Sequence, residues 1–339
     1  MLQAFGLYTH IQANRRRSAL LIVGLFLLFY LMSLGLALLL RALLDDGTGT
    51  FEALFQSALW GCLWFSPFIT GLVALWVWCG FRFNDFLLSL TTGSKPLARR
   101  SSPRLYNLLE NLCISRGMTV PKLRVLETET PNAFASGTRP EQYTVTVTRG
   151  LLDLLDEREL EAVLAHELTH IRNEDVRTMM VAVLVVGVMS FIGEIVYRGL
   201  RDGTSLLDDS SDSKGGGGKV IAVIVAAVFI FIAWWLSLVV RFSLSRRREY
   251  LADAGAVELT KNPDAMISAL RKIEGKGELK GVPSAVMELC LDNPRSGFAD
   301  LFATHPSIED RIAALVRYAG GNAPLAKAQT PTIPEAPAA

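Results

Sequence analysis

The chain alternates between long apolar runs and long polar stretches. An α-helix needs about 20 residues to cross the hydrocarbon core of a bilayer. Four apolar runs reach about that length, at residues 20–40, 58–81, 179–197 and 220–240. We therefore predict an α-helical membrane protein with four transmembrane passes.

Most of the polar sequence falls in two pieces, residues 82–177 and 241–319, on either side of the last two apolar runs. The first run follows an N-terminal arm, residues 1–19, and it is longer than a signal-peptide core and lacks a small-residue cleavage site. Residues 198–219 are rich in Asp, Ser and Gly, which predicts a flexible linker. Residues 320–339 are rich in Ala, Pro and Gly, which predicts a disordered tail.

Basic residues are concentrated on one side of this four-pass arrangement. That side carries Arg15–Arg17, Lys95–Arg104 and Arg246–Arg248, whereas the other side carries Asp45 and the 198–219 loop, which is rich in Asp, Ser and Gly. Loops rich in Lys and Arg stay in the cytoplasm. We therefore expect both polar pieces and both chain ends to be cytoplasmic, with the 198–219 loop on the opposite side.

The polar pieces predict a domain that is mainly helical with a small sheet. Residues Tyr143–Thr148 alternate apolar and hydroxyl side chains with a period of two, as a strand does, and Leu123–Leu126 is a shorter candidate. Most of the remaining polar sequence has helical periodicity. The predicted class is an α-helical membrane protein that carries a helix-rich α+β cytoplasmic domain.

Composition excludes some functions. The formal net charge is +1, so the sequence gives no electrostatic reason to expect nucleic acid as a partner. The four cysteines, Cys62, Cys79, Cys113 and Cys290, have no short metal-binding spacing. A disulfide framework or a cysteine-ligated zinc site is therefore not expected.

The strongest chemical signal is His166-Glu167-Leu168-Thr169-His170. Asp156 and Glu159 form a capping-box pattern that begins a helix before it. His166 and His170 are four residues apart, so they project from neighbouring turns of one face and can bind one zinc ion. Glu167 can act as the general base on water, as in zincins. A surface helix with two unrelated histidines is the alternative, but the chain holds four histidines in all and a chance match is rare.

A zinc hydrolase needs a third protein ligand. Glu249 is one candidate, and Asp253 lies one turn further on the same face, where it could hold a histidine ring N–H. The alternative for this segment is an ordinary charged run beside the membrane. Glu174, four residues after His170, also fits the helical spacing, although one straight helix surrounds a tetrahedral ion poorly.

Four segments occur in a particular order: Pro131–Ala135, Val163–His170, Arg248–Asp253 and Thr304–Ser307. In this order, with two membrane runs between the second and the third, they resemble the HtpX family of membrane zinc metallopeptidases, relatives of the CAAX prenyl endopeptidases. The resemblance extends from about residue 103 to 315. The four membrane runs match the HtpX type, whereas the CAAX endopeptidases have seven.

The resemblance implies a zincin-like domain and assigns further roles. It implies that Glu249 is the third zinc ligand and that the residues after Pro131 lie along the substrate as an edge strand, namely Asn132, Ala133, Phe134 and Ala135. It also implies that His305 donates a hydrogen bond near the developing oxyanion and that Arg311 holds an acid such as Asp253. A turn-rich loop at 131–137 and a helix-start role for His305 remain the alternatives.

The expected activity is hydrolysis of peptide bonds inside polypeptides, with one zinc ion per chain. The expected substrates are misfolded membrane proteins at the cytoplasmic face of a bacterial membrane, since the resemblance implies a role in quality control. The alternatives are a processing peptidase of the CAAX type and a non-catalytic membrane scaffold with a structural zinc. Glu167 separates the last alternative from an enzyme, because a structural site needs no general base.

Overall fold

The computed structural model describes residues 7–202, 217–242, 246–279, 282, 284–287, 289–292 and 306–322. Within these ranges the helices are α1 (Leu7–Leu44), α2 (Phe51–Arg82), α3 (Asn84–Thr92), α4 (Pro103–Arg116), α5 (Arg149–Leu154), α6 (Glu157–Arg172), α7 (Asp175–Asp202), α8 (Gly217–Phe242), α9 (Arg247–Thr260), α10 (Pro263–Ile273), α11 (Ser284–Met287) and α12 (Ile308–Ala319). The strands are β1 (Lys95–Pro96), β2 (Lys122–Leu126), β3 (Ala133–Ser136) and β4 (Thr144–Thr148).

Helices α1, α2, α7 and α8 are each long and apolar enough to cross a membrane. They pack together, with α1 in contact with the other three. Their outer surface exposes large apolar and aromatic side chains, among them Trp64 at 81% and Phe68 at 70%. A soluble protein rarely exposes such a surface, whereas lipid covers it without cost. The protein is therefore integral to a membrane, as the four apolar runs predict.

The membrane helices extend beyond the apolar runs that predict them. The first apolar run covers residues 20–40, but α1 begins at Leu7 and ends at Leu44, a total of 38 residues. At about 1.5 Å per residue this helix is about 57 Å long, nearly twice the thickness of a hydrocarbon core of about 30 Å. The reason is that hydropathy marks only the lipid-contacting part, whereas intrahelical hydrogen bonds continue through polar flanks. The N-terminal end of α1 thereby reaches the polar domain.

The polar domain contains the small sheet that the sequence predicts. Its four strands have the order β1-β2-β4-β3, with β2 and β4 parallel and the outer pairs antiparallel. Strand β4 begins at Thr144, one residue later than the predicted start, and all five of its residues are buried. Strand β3 lies at the edge of the sheet and contacts helix α6.

Helix α6 is at the centre of the domain and begins at the predicted capping box. The Asp156 side chain accepts a hydrogen bond from the Glu159 backbone, and the Glu159 side chain accepts one from the Asp156 backbone. Glu159 also accepts hydrogen bonds from Ser268 and Lys272 of α10, both at 2.6 Å. These contacts fix α6 against α10, while apolar residues of α6 belong to the main buried cluster.

Some sequence predictions fall outside the described residues. These are the central part of the 198–219 linker, at 203–216, most of the 320–339 tail, at 323–339, and His305.

Candidate metal centre

His166 and His170 lie on adjacent turns of α6 and face the same point. Their Nε2 atoms are 3.1 Å apart, and both side chains are buried. The two rings meet edge to face, with centroids 4.7 Å apart. Burial of two imidazoles beside each other is costly unless their nitrogens bind a partner. Their geometry places two nitrogen donors where one ion can bind both.

Glu249 completes this cluster from another part of the chain. It lies in the first turn of α9, which follows the membrane helix α8, and it is 1% exposed. Its Oε2 atom is 3.7 Å from Nε2 of His166 and 3.8 Å from Nε2 of His170. Small buried residues, Ala252 and Ala256, let α9 approach α6 closely enough for this carboxylate to reach the histidines.

The three ligand atoms fit one metal ion. A tetrahedral ion bound at about 2.1 Å places its protein ligands about 3.4 Å apart. The three observed separations, from 3.1 to 3.8 Å, lie around that value. Two imidazoles and one carboxylate are also a known ligand set of catalytic metal sites. Among the described residues, His166, His170 and Glu249 form the group of candidate metal ligands.

Asp253 and Arg311 hold His166 in place. The Asp253 carboxylate is 2.9 Å from Nδ1 of His166, so this ring can turn Nε2 towards the cluster. Arg311 donates to both oxygens of Asp253, at 2.8 and 2.6 Å, and it is 1% exposed. Burial raises the pKa of Asp253, but the charge and hydrogen bonds of Arg311, together with the hydrogen bond to His166, outweigh this effect and keep the pKa below its usual value. Asp253 is therefore a charged partner for His166.

His170 has its own carboxylate, which the sequence reasoning missed. Oδ2 of Asp175 lies 3.1 Å from Nδ1 of His170, and Asp175 is buried at the start of membrane helix α7. The signal available in the sequence was an acid directly before an apolar run, five residues after a candidate ligand. Each histidine of the cluster is thus oriented by a separate carboxylate.

The electrostatics of the two histidines differ. Burial lowers the pKa of His166 to about 4, which keeps its ring neutral, as a ligand must be. Burial also lowers the pKa of His170, but Glu249 and Asp175 outweigh that effect and raise the pKa to about 10. The cluster therefore favours a positive charge at this point, which fits a cation site.

Glu167 lies between the two histidines in sequence and is 2% exposed. Burial raises its pKa to about 7, although a hydrogen bond from the backbone of Ala135 opposes the shift. The Ala135 contact places this carboxylate beside edge strand β3. A carboxylate with a pKa near neutrality can accept a proton and release it again.

The predicted substrate strand lies at the edge of the sheet, and part of that edge is already in use. The Asn132 side chain donates to the backbone oxygens of Gly277 and Asp292, both at 2.7 Å. The Ala133 oxygen accepts a hydrogen bond from the Leu291 backbone at 3.0 Å. Phe134 is buried in the core. An added strand could therefore bond to Ala133 only after Leu291 moved away.

The structure gives an outcome for the rival ligand Glu174 but not for His305. Glu174, the rival ligand, lies outside the cluster and forms an ion pair with Arg15 of α1. The chain turns there, since Glu174 has a φ of +56°. His305 lies outside the described residues, so its expected role stays a prediction.

The chain is similar to known proteases over most of its length. Residues 100–319 match the description "Peptidase family M48". A protease HtpX homolog of Bacteroides fragilis is 37% identical over 331 residues, which cover 94% of this chain and the whole relative. A protease HtpX homolog of Lactobacillus acidophilus is 34% identical, with 91% of this chain and 99% of the relative covered. The crystal structure of S. mikatae Ste24p aligns with a TM-score of 0.47 and 18% identity, over 75% of this chain and 58% of that one.

The structure has four membrane-length helices, and α7 and α8 divide its polar domain into two pieces. Two histidines and one glutamate form the candidate metal site. Together with the similarity to HtpX proteases, these features define a membrane-integral metalloendopeptidase of the HtpX type. The chain belongs to peptidase family M48.

Proposed function

We propose that this protein is a zinc-dependent endopeptidase that acts at the cytoplasmic face of the membrane. The observation that carries the proposal is the convergence of His166, His170 and Glu249 beside Glu167. Two histidines and one glutamate are the zinc ligands of well-studied metallopeptidases. A purely structural zinc site is commonly closed by four protein ligands and has no use for a buried glutamate beside it.

The geometry supports a division of roles among these residues. Zinc at this site would polarise the scissile carbonyl and lower the pKa of a water molecule. Glu167 accepts the proton from the attacking water and returns it to the leaving amine. Asp253 and Asp175 keep the two imidazoles oriented throughout.

The site's position supports a substrate near the membrane surface. His170 lies five residues before Asp175, where a candidate membrane span begins. A polypeptide would add to the edge of β3 as an extended strand, displacing Leu291 from Ala133. His305 would donate to the developing oxyanion. We propose misfolded membrane proteins as substrates, and the basic flanks of the membrane helices support a cytoplasmic location.

Metal content and casein cleavage in three purified full-length proteins test this function. The proteins are the parent, Glu167→Gln and Glu161→Gln, the last a control on the same helix. Glu167→Gln should keep about one zinc per chain and lose cleavage, since an amide cannot accept the proton. Glu161→Gln should match the parent in both measurements.

Cleavage by Glu167→Gln at the parent rate would contradict the general-base role. A parent that holds zinc and cleaves nothing would instead indicate a structural site. To separate quality control from CAAX processing, the same proteins should be given a destabilised membrane protein and a prenylated CAAX peptide. Faster cleavage of the prenylated peptide would overturn the proposed substrate class.

A further inference from the structure

The N-terminal part of α1 contacts Asp175, the carboxylate beside the candidate metal ligand His170. Asn14 is 3% exposed, and its side-chain nitrogen lies 2.7 Å from Oδ1 of Asp175 and 3.0 Å from the backbone oxygen of Asn173. The other oxygen of Asp175, Oδ2, lies 3.1 Å from Nδ1 of His170. A continuous chain of hydrogen bonds thus runs from a membrane helix to a candidate metal ligand.

We propose that Asn14 is a positioning residue for the metal site. It fixes the Asp175 carboxylate in the orientation that contacts His170. This inference rests on the proposed zinc site. An amide nitrogen carries two hydrogens, and here both have acceptors, one on a backbone and one on the carboxylate. With one oxygen held by Asn14, Asp175 keeps the other directed at His170. Replacing a residue that orients a metal ligand typically lowers metal affinity by about 10- to 100-fold.

The rest of this contact anchors α1 without touching Asp175. The hydroxyls of Ser18 and Thr178 are 2.9 Å apart and buried, and Thr178 also donates to the Asn14 backbone oxygen at 3.2 Å. Arg15 pairs with Glu174 at the turn after α6. If the contact served only to hold helices together, removing the Ser18 hydroxyl would have the same effect as removing the Asn14 amide. The two roles can therefore be separated by experiment.

Asn14 and Asp175, which share this hydrogen bond, are 161 positions apart in the sequence. The position of α1 therefore affects the orientation of the His170 ring through Asp175. When α1 packs correctly against the polar domain, Asn14 holds Asp175, and when it does not, this hydrogen bond to Asp175 is lost.

The test compares full-length protein in detergent as four variants, namely Asn14→Leu, Ser18→Ala, Asp175→Asn and the Asn14→Leu/Asp175→Asn pair. Leucine keeps the branched shape and the number of side-chain heavy atoms of asparagine but cannot donate. The first readout is the rate of zinc loss to a chelator, and the second is the visible spectrum of the cobalt-substituted protein, which reports ligand geometry rather than overall stability.

Asn14→Leu should lose zinc about tenfold faster than the parent and shift the cobalt spectrum, whereas Ser18→Ala should do neither. In the Asp175→Asn background, Asn14→Leu should add no further effect, because its action passes through that carboxylate. Zinc loss from Asn14→Leu at the parent rate would overturn the inference, as would equal effects of Asn14→Leu and Ser18→Ala. Failure of the proposed function would be visible in the parent itself, as absence of bound zinc or of cleavage.

Discussion

Gly255 on α9 and Thr169 on α6 lie so close that no side chain fits at position 255 unless Thr169 moves. A Cβ atom on Gly255 would be 2.4 Å from Cγ2 and 2.7 Å from Oγ1 of Thr169. Thr169 is held in turn by a hydrogen bond to the Ala165 oxygen at 2.8 Å. Since Glu249 reaches the histidines from α9, this close approach sets the distance across the metal centre.

Gly255→Ala should weaken metal binding. Alanine favours a helix by about 1 kcal/mol over glycine, but overpacking costs about 1–3 kcal/mol and pushes α9 away from α6. We expect faster zinc loss under a chelator than in the parent. Ala254→Val adds bulk at an exposed position of the same helix and should behave as the parent.

The added Thr169→Ala change should restore part of the zinc retention, because it removes the two atoms in closest conflict. Equal zinc retention by Gly255→Ala and the parent would mean that this contact does not set the distance between α9 and α6.

The Asp253–Arg311 pair should be essential to the domain's stability. Arg311→Leu leaves Asp253 charged and buried without its main partner, which should cost about 3–5 kcal/mol in the free energy of unfolding. Thermal unfolding in detergent measures the effect. Arg317→Leu, on the exposed side of the same helix, serves as the control.

Adding Asp253→Asn to Arg311→Leu should recover part of the loss, since the buried charge is then removed. A double variant that is less stable than Arg311→Leu would contradict this account of the pair.

The membrane topology is also open to a direct test. Lys219 at the start of α8 donates to the Asp45 backbone oxygen just after α1, so the end of α1 and the start of α8 lie at one end of the helix bundle. The metal centre lies at the other end, where Asn14 meets Asp175. We therefore predict that a cysteine at Thr48 reacts with a membrane-impermeant thiol reagent in intact cells.

A cysteine at Ser101 should react only after lysis, because the polar domain is expected in the cytoplasm. The parent, with its four native cysteines, gives the background labelling. The opposite pattern at the two positions would reverse the proposed orientation.

Local patterns predicted the parts of the molecule that depend on neighbouring residues. The four-residue spacing of His166 and His170 is a property of one helix, and the alternation before Thr148 is a property of one strand. Apolar runs likewise predicted the four membrane helices, although not their polar ends, because helix length is set by backbone hydrogen bonding as well as by lipid contact.

The parts that the sequence reasoning missed depend on how distant segments pack. Asn14 and Asp175 are separated by 161 positions, so their contact exists only once α1 lies against α7. In the sequence, Gly255 cannot be distinguished from any other glycine that weakens a helix. Its role in the close approach of α9 to α6 is seen only in the packed structure. The hydrogen bond from the Leu291 backbone to Ala133 has the same origin, since it joins a loop to edge strand β3.

The central claim is that a metal site is assembled from two helices separated by two membrane spans, and Glu249 tests it most directly. The measurement is zinc stoichiometry of purified Glu249→Ala and Glu174→Ala under a mild chelator. Glu174→Ala removes the same charge from a position that pairs with Arg15 instead of the cluster. We predict that Glu249→Ala loses its zinc and that Glu174→Ala retains about one per chain. Full retention by Glu249→Ala, with loss by Glu174→Ala, would contradict the account.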